Sequence, residues 1–361
     1  MISTPVLLLD EGKCRNNISG MVEKAVANNV TFRPHFKTHV SAEIGGWFWE
    51  AGVNKITVSS LRMAEYFAAS GWKDILVAFP FNIREIELAN KLADTIRLSL
   101  LVESAEVAEF LSKNLRKECE IYLKIDTGLN RTGILYSDTI KVAELIKRTD
   151  NLPNLKLTGL LTHAGHSYGA RSHDRIIAIH KETTGAMLSL RENLGLSTRL
   201  LISVGDTPTC SVADDFSMVD EIRPGNFVFY DFTQVVIGSC SISDVAVAMA
   251  CPVVAVHPER NTVIVYGGAI HFSRESVRLP DGRTVYGIVT CNNEKCHGEA
   301  FNEAYLTGMS QEHGIVTVPA SMASYYKPGD IMTIIPAHSC ITAHVMGEYL
   351  TCSGRVISRM R

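Results

Sequence analysis

From about residue 31 to 235, short β-branched and apolar runs alternate with longer stretches whose apolar residues recur at helical spacing. That rhythm predicts repeated βα units around a parallel sheet. Strand-like runs fall at 31–36, 55–59, 75–79, 96–102, 121–126, 157–163, 200–204 and 221–223, and segments such as 61–70 and 105–115 have the helical period between them. Eight units predict an α/β fold, a closed (β/α)8 TIM barrel over residues 11–235. After Thr233 the rhythm changes to strand-rich segments cut by Gly, Pro and Asp turns, among them Asn261-Thr-Val-Ile-Val-Tyr266 and Pro328-Gly-Asp-Ile-Met-Thr-Ile-Ile-Pro336. A second, mainly β domain is therefore expected over 236–361. The strand-like run 4–9 precedes the long helix that leads to the barrel, so residues 1–10 are assigned to the β domain.

Composition narrows the function classes. With 46% hydrophobic and 20% charged residues the chain has ample material for buried cores, and its formal charge of −3 gives no general attraction for nucleic acid. The longest apolar runs, such as 244–257, are too short or too interrupted to cross a bilayer. Nine cysteines show no framework spacing, and Met1 leads into Thr4-Pro-Val-Leu-Leu-Leu-Asp10 without a basic and apolar leader, so a reducing cytoplasm is expected.

Barrels collect chemistry at the C-terminal ends of their strands, and the unusual residues fall there. Lys37, in Arg33-Pro-His-Phe-Lys-Thr-His39, follows the first strand and is a candidate Schiff-base amine. Asp126-Thr-Gly-Leu-Asn-Arg-Thr-Gly133 follows the fifth, Thr162-His-Ala-Gly-His-Ser-Tyr168 the sixth, Gly205-Asp-Thr-Pro-Thr209 the seventh and Arg223-Pro-Gly-Asn-Phe227 the eighth. The last two offer backbone N–H groups and hydroxyls where barrels commonly bind phosphate. In the β domain, Pro336-Ala-His-Ser-Cys-Ile-Thr-Ala343 sets His338 and Cys340 two apart. On a strand such residues share a face, so both can reach one borderline-soft metal ion.

Each feature also has a plainer reading. A lysine flanked by histidines is usually a surface cluster, and a His-x-Cys pair is more often a buried imidazole and a packed thiol. Cys291-Asn-Asn-Glu-Lys-Cys-His297 fits no standard zinc spacing and reads as a loop with incidental thiols. Gln311-Glu-His-Gly314 is either an outer support for the ligand histidine or a polar turn closing two strands. Asp126 is read as bonding the turn that aims Arg131, with Gly128 and Gly133 supplying backbone freedom. His35, His39 and His166 are open between substrate contact and local hydrogen bonding.

Taken together, Pro34-His-Phe-Lys-Thr-His39, Asp126-Thr-Gly-x-x-Arg131-x-Gly133, Thr162-His-Ala-Gly-His166, Arg223-Pro-Gly-Asn226 and Pro336-x-His338-x-Cys340 resemble the fold type III family of pyridoxal-phosphate enzymes. That family includes alanine racemases, D-serine dehydratases and D-threonine aldolases, and the resemblance covers nearly the whole chain. It implies pyridoxal 5'-phosphate as cofactor, with Lys37 as the Schiff-base lysine and the base at Cα. It puts Arg131 beside the cofactor's phenolic oxygen, His163 on the pyridine face, and Thr207, Gly225 and Asn226 at the phosphate. Tyr168 and Tyr230 become further phosphate or substrate contacts, and Arg223 comes near the pyridine nitrogen, which an arginine would leave unprotonated.

The resemblance also separates relatives by their metal ligands. Pro-x-His-x-Cys is similar to the D-serine and hydroxyaspartate dehydratases, whereas the aldolases resemble Pro-x-His-x-Asp. A thiolate at Cys340 favours Zn²⁺ over Mn²⁺ or Mg²⁺. The implied activity is a metal-assisted lyase acting on small D-β-hydroxy amino acids, as a D-serine or D-3-hydroxyaspartate dehydratase, with D-threonine aldolase as the alternative. Gly267-Gly-Ala-Ile-His-Phe-Ser273 lacks the racemase tyrosine motif and argues against racemisation. The appended β domain argues against a non-catalytic carrier of the cofactor. Relatives of this kind imply a head-to-tail homodimer, with neither nucleic acid nor membrane as a partner.

Overall fold

The computed structural model describes residues 2–291 and 296–360. The chain divides into two compact units, Gly20–Gly225 and Met1–Ser19 with Asn226–Arg361. In the first, eight parallel strands follow one another as Thr31–Phe32, Ile56–Val58, Asp74–Pro80, Arg97–Val102, Cys119–Asp126, Leu155–Leu161, Leu201–Val204 and Glu221–Ile222. The first strand pairs with the eighth, and the others follow in reverse order down to the second. A parallel bridge between His35 and Thr57 closes the ring, with Phe36 N–H donating to Thr57 O at 2.8 Å and Thr57 N–H to Pro34 O at 2.9 Å. The expected barrel is thus observed.

Local chemistry explains the units. The fifth strand, Cys119–Asp126, is buried at every position, as a strand covered on both faces must be. Helices following the strands start on side-chain caps: Ser60 accepts from Met63 N–H, Ser104 from Val107 and Ser172 from Arg175. The first strand is shorter than its apolar run, ending before Pro34, which has no N–H to continue a ladder. Among the inward groups, Arg33 binds Glu221 through Nε and Asp74 through Nη1, both at 2.6 Å, and Ser203 Oγ donates to Glu221 at 2.6 Å.

The second unit is built on a nine-stranded sheet. Val6–Leu9 pairs antiparallel with Val247–His257 and parallel with Glu348–Thr351, so the N-terminal strand joins this sheet as expected. Ile331–Pro336 lies between Val247–His257 and Gly287–Thr290. Ala300–Met309 and His313–Thr317 form a hairpin whose turn, residues 310–312, is closed by Ser310 N–H to His313 O at 3.0 Å. The 311–314 run thus covers the end of a polar turn and the start of a strand, with His313 exposed.

Two features depart from the sequence reading. Cys296 and Cys352 form a disulfide across 56 residues, a separation at which no local spacing pattern can announce it. Within the Cys291 to His297 run, residues 292–295 lie outside the described residues. His297 itself is a core residue, with Nε2 2.8 Å from Val245 O and 3.3 Å from Lys13 Nζ, and burial followed by the Lys13 charge lowers its pKa to about 4. No helix among the described residues is long and apolar enough to cross a membrane.

Candidate active site

In the barrel unit the segment carrying Lys37 is clamped by its neighbour. The Phe36 ring lies 4.9 Å from those of Phe48 and Phe67 and 5.1 Å from Trp72, so residue 36 is anchored inward and Lys37 is turned outward and exposed. Val40 N–H returns to Phe36 O at 3.1 Å, and Val40 has a φ of 42°. A β-branched residue there is strained, and such strain concentrates in functional segments. The loop after the eighth strand presses on the same segment. His35 N–H donates to Pro224 O at 2.8 Å, and a Cβ on Gly225 would lie 2.9 Å from His35 O.

Four basic groups are electrostatically coupled here. Burial lowers the His163 pKa to about 3, assisted by the Lys37 charge, and its Nδ1 is bonded to Gly205 O. The imidazole is therefore neutral, with its proton on Nδ1. Burial, Lys37, Arg223 and His163 likewise hold His35 well below the usual histidine range. Arg223 donates through Nε to Ser203 Oγ at 2.7 Å and through Nη2 to Thr162 O at 2.5 Å, while Nη1 makes no hydrogen bond among the described residues. Burial brings Arg223 down to about 10, so it stays charged at neutral pH.

The remaining barrel residues sit on loops shaped by carboxylates. Asp126 Oδ1 accepts from the N–H groups of Gly128, Leu129 and Asn130 at 2.9, 3.0 and 3.2 Å, forming the turn that carries exposed Arg131. The same turn ends at Gly133, whose φ of 105° and close approach to the fifth strand exclude a side chain. Asp206 caps the short helix Thr207–Val212 and holds Ser167 Oγ at 2.7 Å. That bond brings Tyr168 to Thr207, whose N–H donates to the phenol oxygen at 3.4 Å. Lys124, which the sequence reading passed over, is buried with Nζ 2.8 Å from Ile125 O, and burial and Arg223 lower its pKa to about 8.

The β unit holds the second group, in a different setting from the one expected. His338 and Cys340 are not on a strand: Ile331–Pro336 ends at its proline, His338 is the N-cap of the helix Ser339–Met346, and Cys340 lies in that helix's first turn. The two side chains still meet, because His338 hydrogen-bonds Cys340. His338 Nδ1 lies 3.1 Å from Asp231 Oδ2. Burial acts to lower the His338 pKa but is outweighed by Cys340 and Asp231, which raise it well above the ordinary value.

Asp231 was missed in the sequence. Its carboxylate is fully buried, with Oδ1 accepting from Gln234 N–H at 3.0 Å and Oδ2 from Ser339 N–H at 3.0 Å. The helix-start pattern Asp-x-x-Gln was its available signal. Asn226 joins this group: its Nδ2 is 2.8 Å from Asp231, 2.9 Å from Ser339 Oγ and 3.4 Å from Cys340 Sγ. Tyr230 is buried at a φ of 49°, its N–H donating to Asn226 O at 2.7 Å. No group of three or more His, Cys, Asp or Glu side chains able to hold a metal occurs among the described residues.

Residues 9–231 match the family model "Alanine racemase, N-terminal domain", and residues 246–352 match "Putative serine dehydratase domain". The chain belongs to the D-serine dehydratase family of alanine racemase-like proteins. Within that family it is 30% identical to a D-serine dehydratase of Dictyostelium discoideum, over 96% of this chain and 93% of the relative. It is 31% identical to a D-threo-3-hydroxyaspartate dehydratase of Delftia sp. (strain HT23), again over 96% and 93%. The solved structure of the Delftia enzyme covers 100% of this chain and 98% of its own with a TM-score of 0.91 at 29% identity. Also similar are D-threo-3-hydroxyaspartate dehydratase structures of a histidine-to-alanine variant and, for a cysteine two positions further on, of a cysteine-to-alanine variant in a metal-free form, each at 29% identity and TM-score 0.92. A D-threonine aldolase from Filomicrobium marinum, at 19% identity and TM-score 0.81 over 99% and 94% of the two chains, shares the family fold.

Proposed function

We propose that this protein is a pyridoxal-phosphate-dependent, metal-assisted dehydratase of D-β-hydroxy amino acids, with D-serine and D-3-hydroxyaspartate as its substrate class. The observation that carries the reading is the His338–Cys340 pair held by Asp231. An imidazole whose Nδ1 faces a carboxylate can give Nε2 to a metal that takes the place of the proton shared with Cys340, and a thiolate beside it suits Zn²⁺ better than Mn²⁺ or Mg²⁺. The relatives' names and the metal-free cysteine variant of one of them point the same way.

The barrel residues fit the cofactor. A primary amine at Lys37, a neutral ring at His163, the guanidinium edge of Arg223 with Nη1 open, and the Thr207 N–H beside the Tyr168 hydroxyl are the donors that an aldehyde, an aromatic ring, a pyridine nitrogen and a phosphate require. In this reading the N–H groups of Gly225 and Asn226 would serve the phosphate, with Tyr230 as a further contact. Bound there, the cofactor would withdraw electrons from Cα, and the metal would act as a Lewis acid on the β-hydroxyl leaving group.

The chain's own work is proton handling and alignment. Lys37 Nζ takes the Cα proton, and the charges of Arg131 and Arg223 nearby balance anionic groups of cofactor and substrate. His163, fixed by its Nδ1 bond to Gly205, presents an uncharged face. Arg223 keeps its proton, so it would offer a pyridine nitrogen a hydrogen bond without transferring a full charge. Weak electron withdrawal raises the demand on the leaving group, which is where His338 and Cys340 act. A homodimer is part of this reading, and a monomeric mass in light scattering would oppose it.

The test is a substrate panel on protein loaded with cofactor and Zn²⁺. D-serine should give pyruvate and ammonia, and D-3-hydroxyaspartate oxaloacetate and ammonia. Glycine and acetaldehyde from D-threonine, with D-serine untouched, would establish the aldolase instead. Full activity after EDTA treatment would remove the metal from the mechanism.

A further inference from the structure

We infer that Asp231 and Asn226 are positioning residues that set the donor strength of the His338–Cys340 pair, acting in opposite directions on its two ligands. This rests on the metal reading above. Asp231 has two separate tasks on its two oxygens. Oδ1 caps the helix Phe232–Ile237 through Gln234 N–H at 3.0 Å, which is all that an N-cap requires. Oδ2 does something the cap does not explain: it receives His338 Nδ1 at 3.1 Å, Ser339 N–H at 3.0 Å and Asn226 Nδ2 at 2.8 Å. A carboxylate on one imidazole nitrogen fixes the proton there, orients the ring and makes the other nitrogen a stronger donor.

Asn226 acts on the sulfur. Its Nδ2 points at Asp231, at Ser339 Oγ at 2.9 Å and at Cys340 Sγ at 3.4 Å, while its Oδ1 is buried without a partner. The reverse amide orientation would set the oxygen 2.8 Å from the Asp231 carboxylate, acceptor against acceptor, and give up the N–H bond to that buried charge. A buried amide acceptor left unpaired is unfavourable, so the side chain is held for its donors. An N–H aimed at a thiolate draws density from the sulfur and weakens it as a ligand. The pair is thereby tuned from both sides: a strengthened histidine and a moderated thiolate.

The experiment uses the full chain. Zn²⁺ is titrated calorimetrically, and Co²⁺ is added separately to read the sulfur-to-metal charge-transfer band. Asp231→Asn retains a capping oxygen but removes the carboxylate, and should weaken Zn²⁺ binding by about 10- to 100-fold. Asn226→Ala should move the cobalt band to longer wavelength, which a purely structural role would not do. Unchanged Zn²⁺ affinity in folded Asp231→Asn overturns the proposal. Should that variant not fold, an unmoved cobalt band in Asn226→Ala overturns it instead. Wild-type protein that binds neither ion, or that binds both equally after Cys340→Ala, refutes the underlying metal reading and leaves the outcomes distinguishable.

Discussion

Gly225→Ala is the most economical test of how the barrel holds Lys37. At this position the backbone needs no left-handed conformation, so an alanine suffers no dihedral penalty and the only consequence is its methyl group. That methyl would lie 2.9 Å from His35 O, 3.1 Å from His35 Cβ and 3.4 Å from Thr38 Oγ1. All three atoms belong to the 35–38 segment, which is held on one side by the His35 N–H to Pro224 O bond at 2.8 Å and on the other by the Phe36 aromatic contacts. The segment must yield by a few tenths of an ångström, and overpacking of this kind costs about 1–3 kcal/mol. For a unit of this size each kcal/mol lowers Tm by about 2–4 °C. The chemical effect should exceed the thermal one, since displacement of a reacting group by about 1 Å can cost on the order of 100-fold in rate. Differential scanning calorimetry gives the first number and cofactor loading with initial rates the second. Gly185→Ala is the matched control: it lies within the helix His173–Asn193 with nothing within 4 Å of the new methyl, and should gain about 0.8–1 kcal/mol. Equal Tm and equal cofactor loading in Gly225→Ala and wild type would refute the clamp.

Glu221→Gln breaks a buried network in which Arg33 Nε and Ser203 Oγ each lie 2.6 Å from the carboxylate, and should destabilise the barrel by about 3–5 kcal/mol in urea denaturation. Protein isolated under oxidising conditions should titrate seven free thiols, and reduction of Cys296–Cys352 should remove about 4 kcal/mol of stability for a loop of 56 residues; nine thiols with no Tm change on reduction would oppose the bond. Stability should fall on acidification, because His163 and His297, with pKa values lowered to about 3 and about 4, refuse protons that the unfolded chain accepts near 6.5. This contribution is complete above about pH 6.5 and is lost as pH falls towards 4 and then 3, so the urea midpoint of His163→Gln should depend less steeply on pH across that window; an identical slope would sink the assignment.

What could be read in advance follows from the range of the interactions involved. The barrel was legible because each strand is announced by its own run and each helix by a cap such as Ser60 or Ser104, all signals within a few residues. Its closure was legible only as a count of eight, since the His35–Thr57 bridge joins the second strand to a residue beyond the end of the first. The disulfide at a separation of 56 residues, and Lys124 inside a strand that reads as apolar, left no local trace. His338 and Cys340 are the instructive case, because the pair was selected on strand periodicity and the strand is absent. Pro336 stops the sheet, Ser339 starts a helix, and an extended N-cap followed by the first helical turn still lets the two side chains meet. The helical setting also does what a strand could not. It places the thiol at the positive end of a helix dipole, and it puts the Ser339 N–H on Asp231, so the carboxylate that orients His338 is fixed by the same turn that presents Cys340. Asp231 and Asn226, 107 and 114 residues away from the groups they hold, could be found only from that geometry.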